Sequence, residues 1–153
     1  MLNVDWNNQR VCPACGKVIK IKFKFCMHCG VDLKKIHPIG NSDAISRELA
    51  ITATSDSDPE VRKEAVDTLG SFEDTKNLGV LTYILFHDPD DEVRREAADE
   101  LGDIGHPYSM DALSKAMKDK SPEVRKEAIE GLKKIRKKHD AEEQREGKPE
   151  ERD

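Results

Sequence analysis

Three stretches of the chain repeat one another: DSDPEVRKEAVDTLG from Asp56, DPDDEVRREAADELG from Asp88 and DKSPEVRKEAIEGLK from Asp119. They are spaced 32 and 31 residues apart within a chain of 153. A unit that short cannot enclose a core of its own. It must bury its apolar stripe against the next copy, so the period predicts a stack of like units. Each copy opens with helix-start chemistry. Asp58, Asp90 and Ser121 stand at N-cap positions, where a side-chain oxygen accepts an orphan backbone N–H. Pro59 and Pro122 follow at the first helical position, where no donor is missed. Val61, Ala65 and Leu69 then recur at helical spacing, matched by Val93, Ala97, Leu101 and by Val124, Ala128, Leu132. Gly70 and Gly102 are expected to end the first two helices, and the third is expected to run through Ile135 into RKKHD.

Another helical pattern precedes each copy: Ile45, Leu49, Ala53; then Leu78, Leu81, Ile84, Leu85; then Met110, Leu113, Met117. The unit is therefore a helix, a turn and a second helix. The predicted fold is all-α, an α-solenoid of three helical hairpins over residues 42–72, 73–104 and 105–138. These residues resemble the HEAT-like repeats of the phycobilisome-lyase type, whose second helix reads D-x-x-P-E-V-R-x-x-A-x-x-A-L-G. The resemblance implies a structural ladder between neighbouring repeats, with Asp56, Asp88 and Asp119 in the turns and Arg62, Arg94 and Arg125 in the second helices. The second copy departs from the pattern, with Pro89 early and Asp91 where the others have proline.

The cysteines form a separate constellation. Cys12, Cys15, Cys26 and Cys29 read CPAC and CMHC, and Gly16 and Gly30 follow the two pairs. Two C-x-x-C turns give four thiolates for one tetrahedral ion, which suits a single structural Zn²⁺, with iron as the rival metal. Two disulfides are the competing pairing, which a cytoplasmic chain disfavours. His28 lies inside the second turn but is surplus to a four-sulfur shell. The stretch CPACGKVIKIKFKFCMHCG resembles the short zinc-ribbon family, with knuckles of the form CPxCG and FCxxCG, over residues 11–30. Between the knuckles, Ile19, Ile21, Phe23 and Phe25 alternate with Lys20, Lys22 and Lys24, which predicts one strand with an apolar and a cationic face. Residues 1–10 form an N-terminal arm and residues 31–41 a linker long enough to allow movement. Residues 139–153, nearly devoid of apolar side chains, are expected to be a disordered charged tail.

Charge divides the chain. The formal net charge of −5 combines about +5 in residues 1–40 with about −10 in the remainder, an asymmetry that points to separate partners or to contact between the halves. The first ten residues carry no signal-type apolar segment and no run is long enough to span a bilayer, so a cytoplasmic protein without a membrane role is expected. None of the five histidines is followed by Glu, which disfavours the repeated His-Glu iron pairs of a resembling hydroxylase family. No phosphate-binding, nucleophile-elbow or H-E-x-x-H motif occurs. The sequence thus predicts a non-enzymatic protein with no small-molecule substrate.

The outward stripe of the second helices holds Glu60, Lys63, Glu64 and Asp67; Glu92, Arg95, Glu96 and Asp99; and Glu123, Lys126, Glu127 and Glu130, with a formal sum of about −6. It reads either as a solvated face or as a groove for a basic protein partner. The expected function is a protein–protein adaptor or scaffold. The alternative is a nucleic-acid-associated protein that grips phosphates through Lys20, Lys22 and Lys24. A third expectation joins the halves, with the basic ribbon reaching an acidic groove of its own or a neighbouring chain.

Overall fold

The structure is a computed structural model, which describes residues 2–40 and 42–147. Its N-terminal part is built on two short antiparallel strands, β1 (Gln9–Val11) and β2 (Val18–Lys20), paired Gln9 to Lys20, Arg10 to Ile19 and Val11 to Val18. The first cysteine knuckle is the turn between them. Cys12 N–H donates to Lys17 O at 2.8 Å and Gly16 N–H to Cys12 O at 3.0 Å, and Gly16 sits at φ 71°, a region that favours glycine. The second knuckle repeats the device. Cys26 N–H donates to Val31 O, Gly30 N–H to Cys26 O, and Phe25 bridges Asp32.

This corrects the single alternating strand expected from Ile19 to Phe25. The strand ends at Lys20, and the chain turns there, with Phe23 N–H on Lys20 O. Each knuckle must fold its own flanks together to gather two sulfurs, so the pairing partners lie outside the stretch between the knuckles. Ile19 is buried, but Phe25 is 52% exposed.

The expected linker is also corrected. Leu33, Ile36 and Ile39 are all buried, and the buried Arg10 Nη2 donates to Ile36 O at 2.8 Å. Residues 31–40 therefore pack rather than swing.

Six helices follow: α1 (Ala44–Ser55), α2 (Pro59–Ser71), α3 (Leu78–His87), α4 (Asp91–Ile104), α5 (Met110–Ala116) and α6 (Pro122–Glu146). Short 3₁₀ turns, Thr75–Asn77 and Pro107–Ser109, lead into α3 and α5. The caps act as their chemistry dictates. Asp58 accepts from Glu60 N–H, Asp90 from Glu92 and Val93 N–H, and Ser121 from Val124 N–H. The helix α6 continues through residues 139–146, against the expected disordered tail; residues 148–153 lie outside the described residues. Helices α2, α4 and α6 pack tightly as one layer, whereas α1, α3 and α5 touch one another sparingly. The core runs between these layers and includes Leu69, Leu81, Leu85, Leu101 and Leu113. Each such leucine contributes roughly 1.5–3 kcal/mol by burial.

The ribbon is seated on the outer layer. A Cβ added at Gly79 of α3 would collide with the Val11 carbonyl, and one at Gly16 would lie 2.9 Å from Tyr83 N. Tyr108 Oη donates to Asp32 O at 2.8 Å. Val11 joins the helical core, with Trp6 packed against it. The ribbon therefore does not reach the α2–α4–α6 face of its own chain.

Two further expectations change. Gly70 and Gly102 do not end helices; α2 runs to Ser71, and α4 runs to Ile104, capped by Gly105 at φ 71°. They are packing positions instead. A Cβ on Gly102 would stand 2.6 Å from Gly131 Cα, and one on Gly70 would overlap the Glu100 carboxyl. The apolar stripe is also displaced at the first copy. Ala65 and Leu69 are buried, but Val61 is 41% exposed, while Val93 and Val124 are fully buried. Val61 lacks a preceding repeat to cover it. Ile45, Met110 and Met117 are likewise exposed.

Gly102→Ala should force α4 and α6 apart. The expected cost is about 1–3 kcal/mol, read as a drop of several degrees in Tm, with Gly147→Ala at the exposed end of α6 as the neutral comparison. Equal melting of the two variants would contradict this account of the helix crossing.

Candidate metal centre and charged faces

The two knuckles bring Cys12, Cys15, Cys26 and Cys29 together, with all four sulfurs within 4.8 Å of one another. Cys12 Sγ lies 3.7 Å from Cys29 Sγ, and Cys15 Sγ 3.8 Å from Cys26 Sγ. Sulfurs bound at 2.3 Å to one tetrahedral ion stand about 3.8 Å apart, whereas a disulfide needs about 2.05 Å. The donor set therefore fits a metal held by four thiolates and not a pair of disulfides. Burial pushes the Cys12 thiol well up and the Cys15 thiol up to about 11. For Cys26, burial is outweighed by the backbone N–H groups of Cys29 and His28, and the value falls to about 7. A cation in this cage would supply the charge that lets all four ionise. The guanidinium of Arg10, buried beside Cys12, adds a positive field from the protein.

The repeat turns and second helices meet as paired rungs. Arg62 Nε and Nη2 donate to Asp88 Oδ2 and Oδ1 at 2.9 and 3.1 Å. Arg94 donates in the same way to Asp119 at 3.0 and 3.2 Å. Both pairs are largely shielded from water, and Asp119 is held below the usual carboxylate range against its burial by Arg94. Asp56 and Arg125 belong to no such pair among the described residues. Their local contacts include Arg62 Nη1 to Asp56 O at 2.9 Å, Asp58 N–H to Asp56 Oδ1 at 2.9 Å and Arg125 Nη1 to Asp119 O at 2.7 Å.

The outward residues of α2, α4 and α6 lie on one acidic face. Some charge is cancelled locally: Lys63 lies 3.8 Å and Arg95 3.2 Å from Glu92, Lys126 pairs with Glu123, and Lys133 with Glu130. Lys134 bridges Asp99 and Asp103. Glu60, Glu64, Asp67 and Glu127 have no ion-pair partner among the described residues. Glu96 and Glu127 are both raised, first by burial and then by nearby Asp99.

Glu100 is the residue that sequence reasoning missed. It is buried, and its carboxyl fills the space that Gly70 leaves open. Asp67, Glu96 and Glu100 each bring a carboxylate oxygen within 4.8 Å of the others. Burial, then Asp103 and Glu96, push Glu100 up to about 8. The signal was present in the repeat alignment. Glu100 falls where the other copies have Thr68 and Gly131, a lone acid at a position that otherwise takes small residues.

Lys20, Lys22 and Lys24 are exposed but do not share a strand face, because Lys22 and Lys24 follow the turn. Lys20 and Lys22 line a cavity with Asp5, Asn7 and Asn8. A second cationic site, invisible in the sequence, lies where the ribbon meets α3 and α5. There a cleft is lined by Lys17, His28, His87, Lys115 and Lys118, together with Asp119 and Phe86.

Residues 78–144 match the family model for HEAT repeats. The match supports a HEAT-like repeat protein and spans α3 to α6, including the Arg94–Asp119 rung. Repeats of this kind generally mediate protein–protein interaction and are typically non-enzymatic. No curated protein matches the chain. Among the described residues, no helix is long and apolar enough to cross a membrane.

Two measurements test this chemistry. Purified protein should carry about one zinc per four-cysteine site, and Cys12→Ser should abolish metal retention and lower Tm, because Val11 next to it is part of the helical core. Metal-free protein with unchanged melting would exclude a structural ion. For Glu100, the folded pKa lies above the unfolded value, so the folded chain binds the extra proton. Stability should fall as pH rises from the ordinary carboxylate range to about 8. Glu100→Gln should match the parent near about pH 5 and exceed it by about 1–3 kcal/mol near about pH 9. A pH-independent difference would show that Glu100 does not titrate in this range.

Proposed function

We propose that this protein is a non-catalytic adaptor whose α2–α4–α6 face receives a basic segment of a protein partner. The observation that carries the reading is the surplus of carboxylates on that face. Glu60, Glu64, Asp67, Glu100 and Glu127 have no ion-pair partner among the described residues, and Glu96, Glu100 and Glu127 have raised pKa values, first because they are partly or wholly buried and then because other acids lie close by. A fold that gathers like charges in partial burial spends stability on them. Lysine or arginine side chains from a partner would relieve that repulsion. The metal in this reading is structural, a single Zn²⁺ held by Cys12, Cys15, Cys26 and Cys29, since four thiolates leave no open coordination position.

The second reading, a nucleic-acid-associated protein, is favoured by the cleft of Lys17, Lys115 and Lys118 and, separately, by the exposed Lys20, Lys22 and Lys24. It would place phosphate on the ribbon side of the molecule and keep it off the acidic face.

The tagged full chain should be used to capture partners from native lysate, with half of each sample treated with nuclease. The adaptor reading expects a defined protein to survive nuclease and to be lost at least about tenfold with Glu64→Lys, Glu96→Lys and Glu127→Lys combined. Bound material that disappears with nuclease, and falls steeply with salt, would overturn it in favour of the ribbon lysines.

A further inference from the structure

We infer that the repeat array is built to continue from one copy of the chain to the next, head to tail. The arginine–aspartate ladder has a prepared half-rung at each end. Arg62 and Arg94 each hold the preceding backbone through Nη1, on Asp56 O and Asp88 O, and present Nε and Nη2 to the aspartate of the following repeat. Arg125 is posed in the same way, with Nη1 on Asp119 O at 2.7 Å, but no following aspartate meets its other edge among the described residues. Asp56 is the complement. Its Oδ1 accepts from Asp58 N–H at 2.9 Å, as Asp88 accepts from Asp90 and Asp119 from Ser121. Asp88 and Asp119 are each also gripped by the arginine of the preceding repeat, and among the described residues no arginine grips the Asp56 carboxylate.

A further ion pair crosses a repeat boundary, between the first two repeats only; Arg95, at the equivalent position of the second, pairs within its own helix with Glu92. Lys63 reaches forward to Glu92 at 3.8 Å. The residues at those repeat positions on the open ends are Lys126 and Glu60, both exposed. The apolar surface agrees. Ile129 of α6 is 48% exposed, whereas Val66 and Ala98 at the same repeat position are fully buried. At the other end Val61 is exposed where Val93 and Val124 are buried. One end of the array thus presents Arg125 and Lys126 beside an isoleucine, with Lys126 also paired to Glu123, and the other presents Asp56 and Glu60 beside a valine; among the described residues each lacks the neighbour that internal repeats have.

The occupant that fits both ends is a second copy, with Arg125 and Lys126 of one chain meeting Asp56 and Glu60 of the next. Such a heterologous contact generates a ring or a filament rather than a closed two-fold dimer. Lys133 stands where internal repeats carry Gly70 and Gly102. The junction is therefore looser than an internal one, and association is reversible.

The test is sedimentation velocity of the metal-loaded full chain from micromolar to millimolar concentration. The expected result is growth beyond a dimer. Arg125→Asp and Asp56→Arg should each weaken association at least about tenfold by placing like charges across the junction. An equimolar mixture of the two variants should associate again, because every junction between unlike variants then pairs opposite charges. Melting curves of each variant establish folding. If either fails to fold, Ile129→Asp, at a position exposed in the single chain, takes its place and should weaken association. A parent chain that stays monomeric, growth that stops at a dimer, a mixture no more associated than its components, or an Ile129→Asp chain that associates like the parent would each overturn the inference.

Discussion

The stack of repeats depends on the buried arginine–aspartate rungs. Arg62 and Arg94 are nearly closed off from water, and so are their partners Asp88 and Asp119. Two buried opposite charges gain little over an apolar pair of the same shape, because desolvation offsets most of their attraction. What they impose is register. An arginine that has lost water finds full satisfaction only where two carboxylate oxygens and one backbone carbonyl converge. That geometry exists at one relative position of adjacent hairpins, and a slip of one helical turn would bury an unpaired charge.

Glycine sets how closely the layers come once register is fixed. Gly102 lets α4 approach α6 at Gly131, and Gly70 makes room for Glu100. Gly79 and Gly16 do the same between the helices and the ribbon. The ribbon is thereby held against α3 by close backbone contact, alongside the apolar contacts of Val11, Ile39 and Trp6. It adds Val11 to the helical core and covers the outer layer. The tightly packed layer opposite is left to carry the acidic face, and the ribbon's docking creates the basic cleft beside Lys115 and Lys118. The two charged surfaces are kept apart by the thickness of the fold.

The four-cysteine cluster and the two arginine–aspartate pairs were legible because each depends on residue types at fixed spacing. Cys12, Cys15, Cys26 and Cys29 gather through two local turns. Arg62, Arg94, Asp88 and Asp119 recur at one position of a repeat. The alternation of Ile19 to Phe25 misled because strand pairing is decided by what lies across, and here each knuckle pairs its own flanks. Gly70 and Gly102 misled for a related reason. Glycine near the end of a helical pattern serves a cap or a close crossing equally well, and the neighbour that decides between them is distant in sequence.

The sequence alone determined the helical hairpin, its period, its N-caps and the clustering of the four sulfurs, all of which follow from interactions among residues near one another in the chain or repeated along it. Only the tertiary structure decided that Val61 is bare while Val93 and Val124 are buried, and that Leu33, Ile36 and Ile39 anchor what reads as a linker. It alone showed that Glu100 is pressed among other acids and that Asp56 and Arg125 are left as half-rungs. Exposure and electrostatic environment are properties of neighbours across the fold, and three nearly identical repeats acquire different chemistry because each has different neighbours.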